Sequence, residues 1–159
     1  MRVLVTGATG FLGRHVVDAL LSRGHQVRAL YRSDVAPALP DGIELARVDL
    51  RVAEALPEAL ADIDVVIHAA AVLRGPRPVQ YEGTVVATQN LLTAMTEADV
   101  TRLVLVSSFA VYLSRPVRSG RVVDENSPTA TPATARYAYC ELAFRTSRKA
   151  LSGIYGLGL

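Results

Sequence analysis

Residues 2–13 read Arg2-Val3-Leu4-Val5-Thr6-Gly7-Ala8-Thr9-Gly10-Phe11-Leu12-Gly13, so an apolar run leads directly into a turn with three glycines. The run is typical of a buried strand, and the residues after the turn are typical of an amphipathic helix. Glycines at 7, 10 and 13 let the backbone bend, approach a pyrophosphate and pack the helix against the strand. The unpaired N–H groups at the start of that helix favour an anion. The stretch therefore predicts a dinucleotide site.

Composition limits the other possibilities. The chain has 159 residues, half of them apolar, which is enough for one core, and we expect one domain at 1–151 with a tail at 152–159. The net charge is +2, and apart from three arginines between 115 and 121 the basic residues are dispersed. We therefore expect a small-molecule substrate and no nucleic-acid partner.

Neither membrane insertion nor secretion is expected. The longest apolar stretch, residues 65–73, is interrupted by His68 and is too short to span a bilayer. The first strand begins at Arg2, which leaves no room for a signal peptide. The single cysteine, Cys140, has no partner for an internal disulfide, so a cytoplasmic location is expected.

Apolar runs alternate with helical patterns along the chain, which is typical of βαβ crossovers on a parallel sheet. The predicted fold is α/β, a Rossmann-like doubly wound parallel sheet of about five strands flanked by helices. Strands are predicted at residues 2–5, 26–31, 43–48, 65–69 and 102–107, and helices at residues 12–22, 52–60, 79–96 and 136–151. In the first helix, Leu12, Val16, Val17, Leu20 and Leu21 form the apolar face.

Residues 112–135 differ from the rest, because they contain three prolines and several serines and threonines. They predict a long loop beyond the fifth strand, where ligands bind in this fold. A substrate-covering loop is the favoured interpretation, and a linker is the alternative. The tail at 152–159 either adds a short edge strand or leaves the sheet at five strands.

Further motifs follow the glycine turn in order. They are Asp49-Leu50, His68-Ala69-Ala70-Ala71, Gly83-Thr84, Asn90-Leu91-Leu92 and Val106-Ser107-Ser108-Phe109-Ala110-Val111-Tyr112. Together with the turn, the series resembles the extended short-chain dehydrogenase/reductases, a family that includes nucleotide-sugar epimerases and dehydratases and dihydroflavonol-type reductases. The resemblance runs from residue 1 to about 150. It implies that the chain lacks the family's C-terminal substrate domain and is truncated.

The resemblance also implies which residues contact the cofactor. They lie in the glycine turn, in the Asp-Leu pair and after the fourth strand: Gly7, Thr9, Gly10, Phe11, Leu12, Gly13, Asp49, Leu50, Ala69, Ala70 and Ala71. For Asp49 two roles are open, because its carboxylate would either accept from the adenine amino group or cap its own loop.

Arg32 stands after the second strand, where an acidic residue would bind the ribose hydroxyls of NAD. A guanidinium instead suits a 2′-phosphate, which it chelates, and it stacks on adenine. The predicted cofactor is therefore NADP, with NAD as the alternative. A solvated arginine at a strand end is the simpler interpretation.

The resemblance implies a reaction centre of Ser, Tyr and Lys, and here Ser108 and Tyr137 match the first two. The lysine position holds Glu141, and the only lysine, Lys149, would lie about 18 Å from Tyr137 along a helix. A carboxylate in place of an ammonium about 5 Å from the phenol changes the electrostatic energy by about 6 kcal/mol at an effective dielectric near 20. Tyr137 would then be a poor acid at neutral pH.

Three functions remain open. The first is an NADP-linked reductase or epimerase-type enzyme with an altered Ser-Tyr-Glu centre, acting on a small-molecule carbonyl, hydroxyl or sugar-type substrate. The second is a non-redox lyase, isomerase or cyclase, in which Ser108, Tyr137 and Glu141 perform acid–base work. The third is a nucleotide-binding subunit or sensor without catalysis.

Two further expectations concern partners and metals. The helices at 79–96 and 136–151 match the family's usual dimer-forming pair, so we expect a homodimer. The three histidines, His15, His25 and His68, are scattered, so no metal site is expected. His68 closes a strand, where a structural role is favoured over a catalytic one.

Overall fold

The computed structural model describes residues 1–108, 124 and 127. Within these residues, parallel strands form one five-stranded sheet in the order β3-β2-β1-β4-β5. The strands are β1 (Arg2–Thr6), β2 (Gln26–Tyr31), β3 (Glu44–Arg47), β4 (Val65–His68) and β5 (Leu103–Leu105). The predicted doubly wound parallel sheet is confirmed. The predicted strands 43–48, 65–69 and 102–107 are each shorter than expected.

The first helix, α1 (Phe11–Ser22), matches its prediction closely. Its apolar face differs at one position, because Leu12 is exposed whereas Val17 is fully buried. Leu12 lies in the first turn of α1, directly after the glycine turn. Its side chain therefore does not pack against the sheet, unlike those of Val16, Leu20 and Leu21, which do.

The predicted helix at 52–60 is wrong in its first half. Val52 is extended, and a 3₁₀ turn at Ala53–Ala55 precedes α2 (Leu56–Leu60). The physical reason is Pro57, which has no N–H to donate to the carbonyl of Ala53. A regular α-helix therefore cannot begin that early.

The predicted helix at 79–96 begins earlier and is not uniform. It starts with α3 (Arg77–Gln80), continues as a π-helical turn at Tyr81–Val86 and ends as α4 (Ala87–Glu97). Pro78 suits the first turn of a helix, which accounts for the early start. Turns of the π type are frequent at functional sites, and this one lies against the loop after β4.

Two apolar clusters cover the two faces of the sheet. Val3, Val5 and Val17 belong to the cluster beneath α1, whereas Leu4 and Leu91 belong to the cluster beneath α2 and α4. Successive residues of β1 thus point to opposite faces, as expected for a strand covered on both sides.

The strand order reverses between β1 and β4, and in open parallel sheets ligands bind at such a point, beyond the carboxyl ends of the strands. None of the helices within residues 1–108 is long and apolar enough to cross a membrane. The cytoplasmic location stays a prediction. The helix at 136–151, the tail at 152–159 and, apart from residues 124 and 127, the loop at 112–135 fall outside the described residues.

Candidate functional site

A cavity of about 310 Å³ lies at the carboxyl ends of β1, β2 and β4. Its volume falls within the usual range of small-molecule and cofactor pockets. It is lined by most of the residues predicted to contact a cofactor: Gly7, Thr9, Gly10, Arg32, Asp49, Leu50, Ala69, Ala70 and Ala71. Phe11, Leu12 and Gly13, also predicted, form the first turn of α1 beside this wall.

The glycine turn leaves no room for side chains. Gly7 has a φ of +68°, and a Cβ placed on it would lie 2.7 Å from the carbonyl carbon of Ala69. A Cβ on Gly13 would lie 2.0 Å from the Gly7 carbonyl oxygen, and one on Gly10 would lie 3.2 Å from the same atom. Backbone therefore packs directly on backbone where the cavity meets α1.

The start of α1 offers free hydrogen-bond donors beside the cavity. Gly10 is the N-cap, in an extended conformation and without a side-chain capping bond. The amide of Gly10 donates to the Gly7 carbonyl at 3.0 Å, and that of Arg14 donates to the Gly10 carbonyl at 3.1 Å. The N–H groups of the first turn have no acceptor within the helix, which is the arrangement that binds phosphate groups.

Asp49 also lines the cavity, and Arg51 fixes its carboxylate. The Arg51 guanidinium donates to both carboxylate oxygens, with Nη2 to Oδ2 at 2.6 Å, and its backbone N–H donates to Oδ1 at 3.0 Å. These hydrogen bonds lower the pKa of Asp49 to about 2. Asp49 thus caps its own loop, which was one of its two predicted roles, while the adenine contact stays a prediction. Arg51 is not among the predicted site residues, although an Asp-x-Arg spacing could have indicated the pair.

Arg32 lies directly after β2 and is exposed. Within residues 1–108 its guanidinium has no carboxylate within ion-pair distance. The nearby Asp34 pairs with Arg47 instead. The charge of Arg32 nevertheless contributes to the lowered pKa of Asp49, so both groups lie in the same electrostatic environment.

Below the cavity lies a buried polar chain that sequence analysis did not foresee. The Thr6 hydroxyl is 2.6 Å from Nδ1 of His68, and the Thr88 hydroxyl is 2.8 Å from Nε2. Burial lowers the pKa of His68 to about 4, so the imidazole is neutral at pH 7. Both ring nitrogens are satisfied, as the structural interpretation of His68 predicts. The spacing of Thr84 and Thr88, one helical turn apart, was the available signal.

The predicted reaction centre is only partly described. Ser108 is half-buried and follows β5 at the same edge of the sheet as the cavity. Tyr137 and Glu141 lie outside the described residues, so the Ser-Tyr-Glu centre stays a prediction. In the part of the chain that the structure describes, no three histidine, cysteine, aspartate or glutamate side chains are grouped as metal ligands.

Comparisons with known proteins agree with this geometry. A sequence model described as "NAD dependent epimerase/dehydratase family" matches residues 3–157. A ketoreductase of Stigmatella aurantiaca, specific by name for a farnesylated dihydroquinoline oxide, is 37% identical over 133 residues, which are 80% of this chain and 39% of that protein. Sterol demethylase protein B of Methylococcus capsulatus is 40% identical over 121 residues, 73% of this chain and 37% of that protein.

A solved structure extends the similarity to the fold. The UDP-glucose 4-epimerase of Thermus thermophilus, in complex with NAD, superposes with a TM-score of 0.81 at 31% identity, covering 99% of this chain and 52% of that one. The chain therefore spans about half the length of this structure and less of the two curated relatives.

Proposed function

The chain belongs to the NAD dependent epimerase/dehydratase family, and we propose that it binds a nicotinamide dinucleotide in the cavity at the carboxyl ends of β1, β2 and β4. The carrying observation is the glycine turn, where Cβ atoms at 7 and 13 would collide with backbone atoms. That close approach brings N–H groups rather than side chains to the cavity. The similar epimerase of Thermus thermophilus in complex with NAD supports the assignment.

NADP is the form of the cofactor that we propose. The charged residues that line the cavity are Arg32, Arg51 and Asp49, which leaves it with net positive charge. Arg51 is occupied by Asp49, whereas Arg32 has no carboxylate partner within residues 1–108. Arg32 would therefore bind the 2′-phosphate that distinguishes NADP from NAD.

We propose a small-molecule carbonyl, hydroxyl or sugar-type substrate. The similar ketoreductase of Stigmatella aurantiaca supports a reductase-type reaction. When bound, the nicotinamide supplies or accepts hydride. Ser108 and Tyr137 would bind the substrate oxygen, and Tyr137 would move its proton. Glu141, in place of a lysine, would make that proton transfer slow at neutral pH.

The direct test is titration of the chain with NADPH and NADH, followed by assays of NADPH oxidation with small ketones and of NADP⁺ reduction with UDP-glucose. We expect saturable NADPH binding and slow turnover that the Glu141→Lys variant accelerates. Activity in the variant alone would reject hydride transfer by the native chain while leaving the binding assignment intact. Failure of both dinucleotides to bind would reject the assignment itself.

We also propose that the protein is a homodimer, formed through the helical segment at 77–97 together with the helix predicted at 136–151. Near its start, Val79 and Tyr81 expose much of their apolar side chains, as does Leu73 in the preceding loop. A dimer would cover such surface. Sedimentation at micromolar concentration should give twice the chain mass, and a stable monomer would contradict the proposal.

A further inference from the structure

We propose that His68 is a positioning residue for the cavity. In its neutral form with hydrogen on Nε2, it would direct a hydrogen-bond chain that holds the wall formed by residues 69–72. The proposal deepens the proposed function, because it concerns the same cavity and its affinity for NADPH. Neither His68 nor Thr88 lines the cavity, so each would act through its neighbours.

The donor-to-acceptor direction of the hydrogen-bond chain follows from the hydroxyl of Thr88, at the end remote from the cavity. The Thr88 hydroxyl lies 2.5 Å from the carbonyl oxygen of Thr84, and a carbonyl oxygen only accepts. The single hydroxyl hydrogen of Thr88 is therefore used in that bond. The Thr88 oxygen must then accept from Nε2 of His68, which lies 2.8 Å away. Nε2 carries the hydrogen.

The near end of the chain is then determined. A neutral imidazole with hydrogen on Nε2 has a bare Nδ1, which accepts from the Thr6 hydroxyl at 2.6 Å. The Thr6 oxygen remains free to accept from the amide of Ala70, at 3.2 Å. The opposite tautomer would leave the Thr6 hydroxyl hydrogen without this acceptor and would compete with the Thr84 carbonyl for the Thr88 hydrogen.

A second anchor completes the wall. The amide of Val72 donates to the Thr84 hydroxyl at 3.0 Å. The Val72 side chain packs against Gly83, because a Cβ atom on Gly83 would lie only 2.3 Å from Cγ2 of Val72. Residue 70 is thus tied to β1 and residue 72 to the π-helical turn. Both ties meet, through Thr6 and Thr84, at the buried imidazole and the Thr88 hydroxyl. The ring would therefore set the position of backbone that faces the cavity.

The first test is the tautomer of His68 in the full 159-residue chain labelled with ¹⁵N-histidine. At pH 7 the long-range ¹H–¹⁵N correlations should show hydrogen on Nε2 and none on Nδ1. The Nδ1–H tautomer or an imidazolium would overturn the proposal. This readout needs no cofactor, so it stands or falls independently of the proposed function.

The second test compares two threonines of α4. Thr88→Val removes the last hydroxyl of the hydrogen-bond chain, whereas Thr96→Val removes a hydroxyl that donates only to the Leu92 carbonyl. Thr88→Val should accelerate hydrogen exchange of the Ala70 and Val72 amides and raise the Kd for NADPH about tenfold. Thr96→Val should do neither.

Two comparisons separate positioning from general destabilisation. The amide of Val66, inside β4, should exchange no more quickly in Thr88→Val than in the Thr96→Val control, and Thr88→Ser should restore the affinity. Equal acceleration at Val66, Ala70 and Val72, or no change at any of them, would overturn the proposal. If the unaltered chain does not bind NADPH, the proposed function fails, while the tautomer and exchange results still decide the role of His68.

Discussion

A Cβ atom on Gly13 would lie 2.0 Å from the carbonyl oxygen of Gly7. The third glycine of the turn therefore serves the packing of α1 on the turn, since Gly13 itself is buried and does not line the cavity. The first glycine, in contrast, lines the cavity and touches the loop after β4. One motif thus combines a packing position with a binding position.

Replacing Gly13 by alanine should damage both stability and binding. The added methyl group meets backbone, so α1 must move away from the turn, at a cost of about 1–3 kcal/mol. We expect at least a tenfold loss of NADPH affinity, measured by calorimetry, with a lower midpoint of urea unfolding. Gly24→Ala is the control, because Gly24 has φ +74° but no atom within 4 Å of its Cβ. It should lose about 1 kcal/mol of stability and keep its affinity.

Arg32→Ser should change the preference between cofactors. Loss of a charge-assisted hydrogen bond to the 2′-phosphate weakens NADPH binding by about 1.5–3 kcal/mol, or roughly tenfold to over a hundredfold. NADH binding should stay nearly constant. Arg23→Ser, at the far end of α1, should affect neither dinucleotide. Equal weakening of NADPH and NADH binding in Arg32→Ser would show that this arginine does not bind the 2′-phosphate.

Stability should fall as the pH drops from about 6.5 toward 4. The pKa of His68 is lowered from 6.5 to about 4 by burial, so the unfolded chain takes up a proton before the folded chain does. The stability contributed by the neutral His68 is complete above the pKa of His68 in the unfolded chain. It is lost as the pH falls toward the pKa of His68 in the folded chain. The loss is about 2 kcal/mol at pH 5, to be measured as the free energy of unfolding in urea at pH 7.5 and pH 5.

The pH effect can be assigned with one variant. His68→Gln should lack this loss, although it starts from lower stability. Hydrogen bonds from Arg51 to Asp49 and from Arg28 to Glu44 lower the pKa values of the two carboxyl groups, so the stabilisation from these ion pairs disappears in a more acidic range. The same pH dependence in His68→Gln would place the titrating group elsewhere.

Arg28 should contribute strongly to stability. Its side chain is buried on β2, and Nη1 donates to the carbonyls of Ala59 and Ala61 at 2.8 and 2.9 Å, where α2 ends. Arg28→Met would leave these acceptors unpaired and should cost about 2–4 kcal/mol in urea unfolding. Arg47→Met, exposed on β3, should change stability by about 1 kcal/mol or less. Comparable losses in both variants would count against this role.

Local pattern predicts much of this molecule. The glycine turn, the strand at Gln26–Tyr31 and the first helix depend on adjacent residues, so periodicity and turn chemistry suffice. The strand ends are also predictable. Because parallel strands end at the same side of the sheet, Arg32 and the alanines at 69–71 are expected at one cavity, which they line.

Contacts between distant residues were not predictable in the same way. Arg28 lies in an apolar strand, and nothing near it indicates that it meets carbonyls of α2. The hydrogen-bond chain through Thr6, His68 and Thr88 joins two strands and a helix, so the spacing of Thr84 and Thr88 could not by itself indicate it. The π-helical turn likewise packs at Gly83 against Val72, a contact between a helix and a loop that no local pattern indicates.

Mapping the backbone amides that respond to NADPH is the most direct test of the central claim. In a ¹H–¹⁵N correlation spectrum of the labelled chain, added NADPH should shift the amides of Gly10–Gly13, Arg32 and residues 69–72. The amide signal of Gly42, which lies before the amino end of β3, should not shift. Absence of shifts at saturating NADPH, or shifts confined to residues outside the cavity, would contradict the assignment of this cavity as the dinucleotide site.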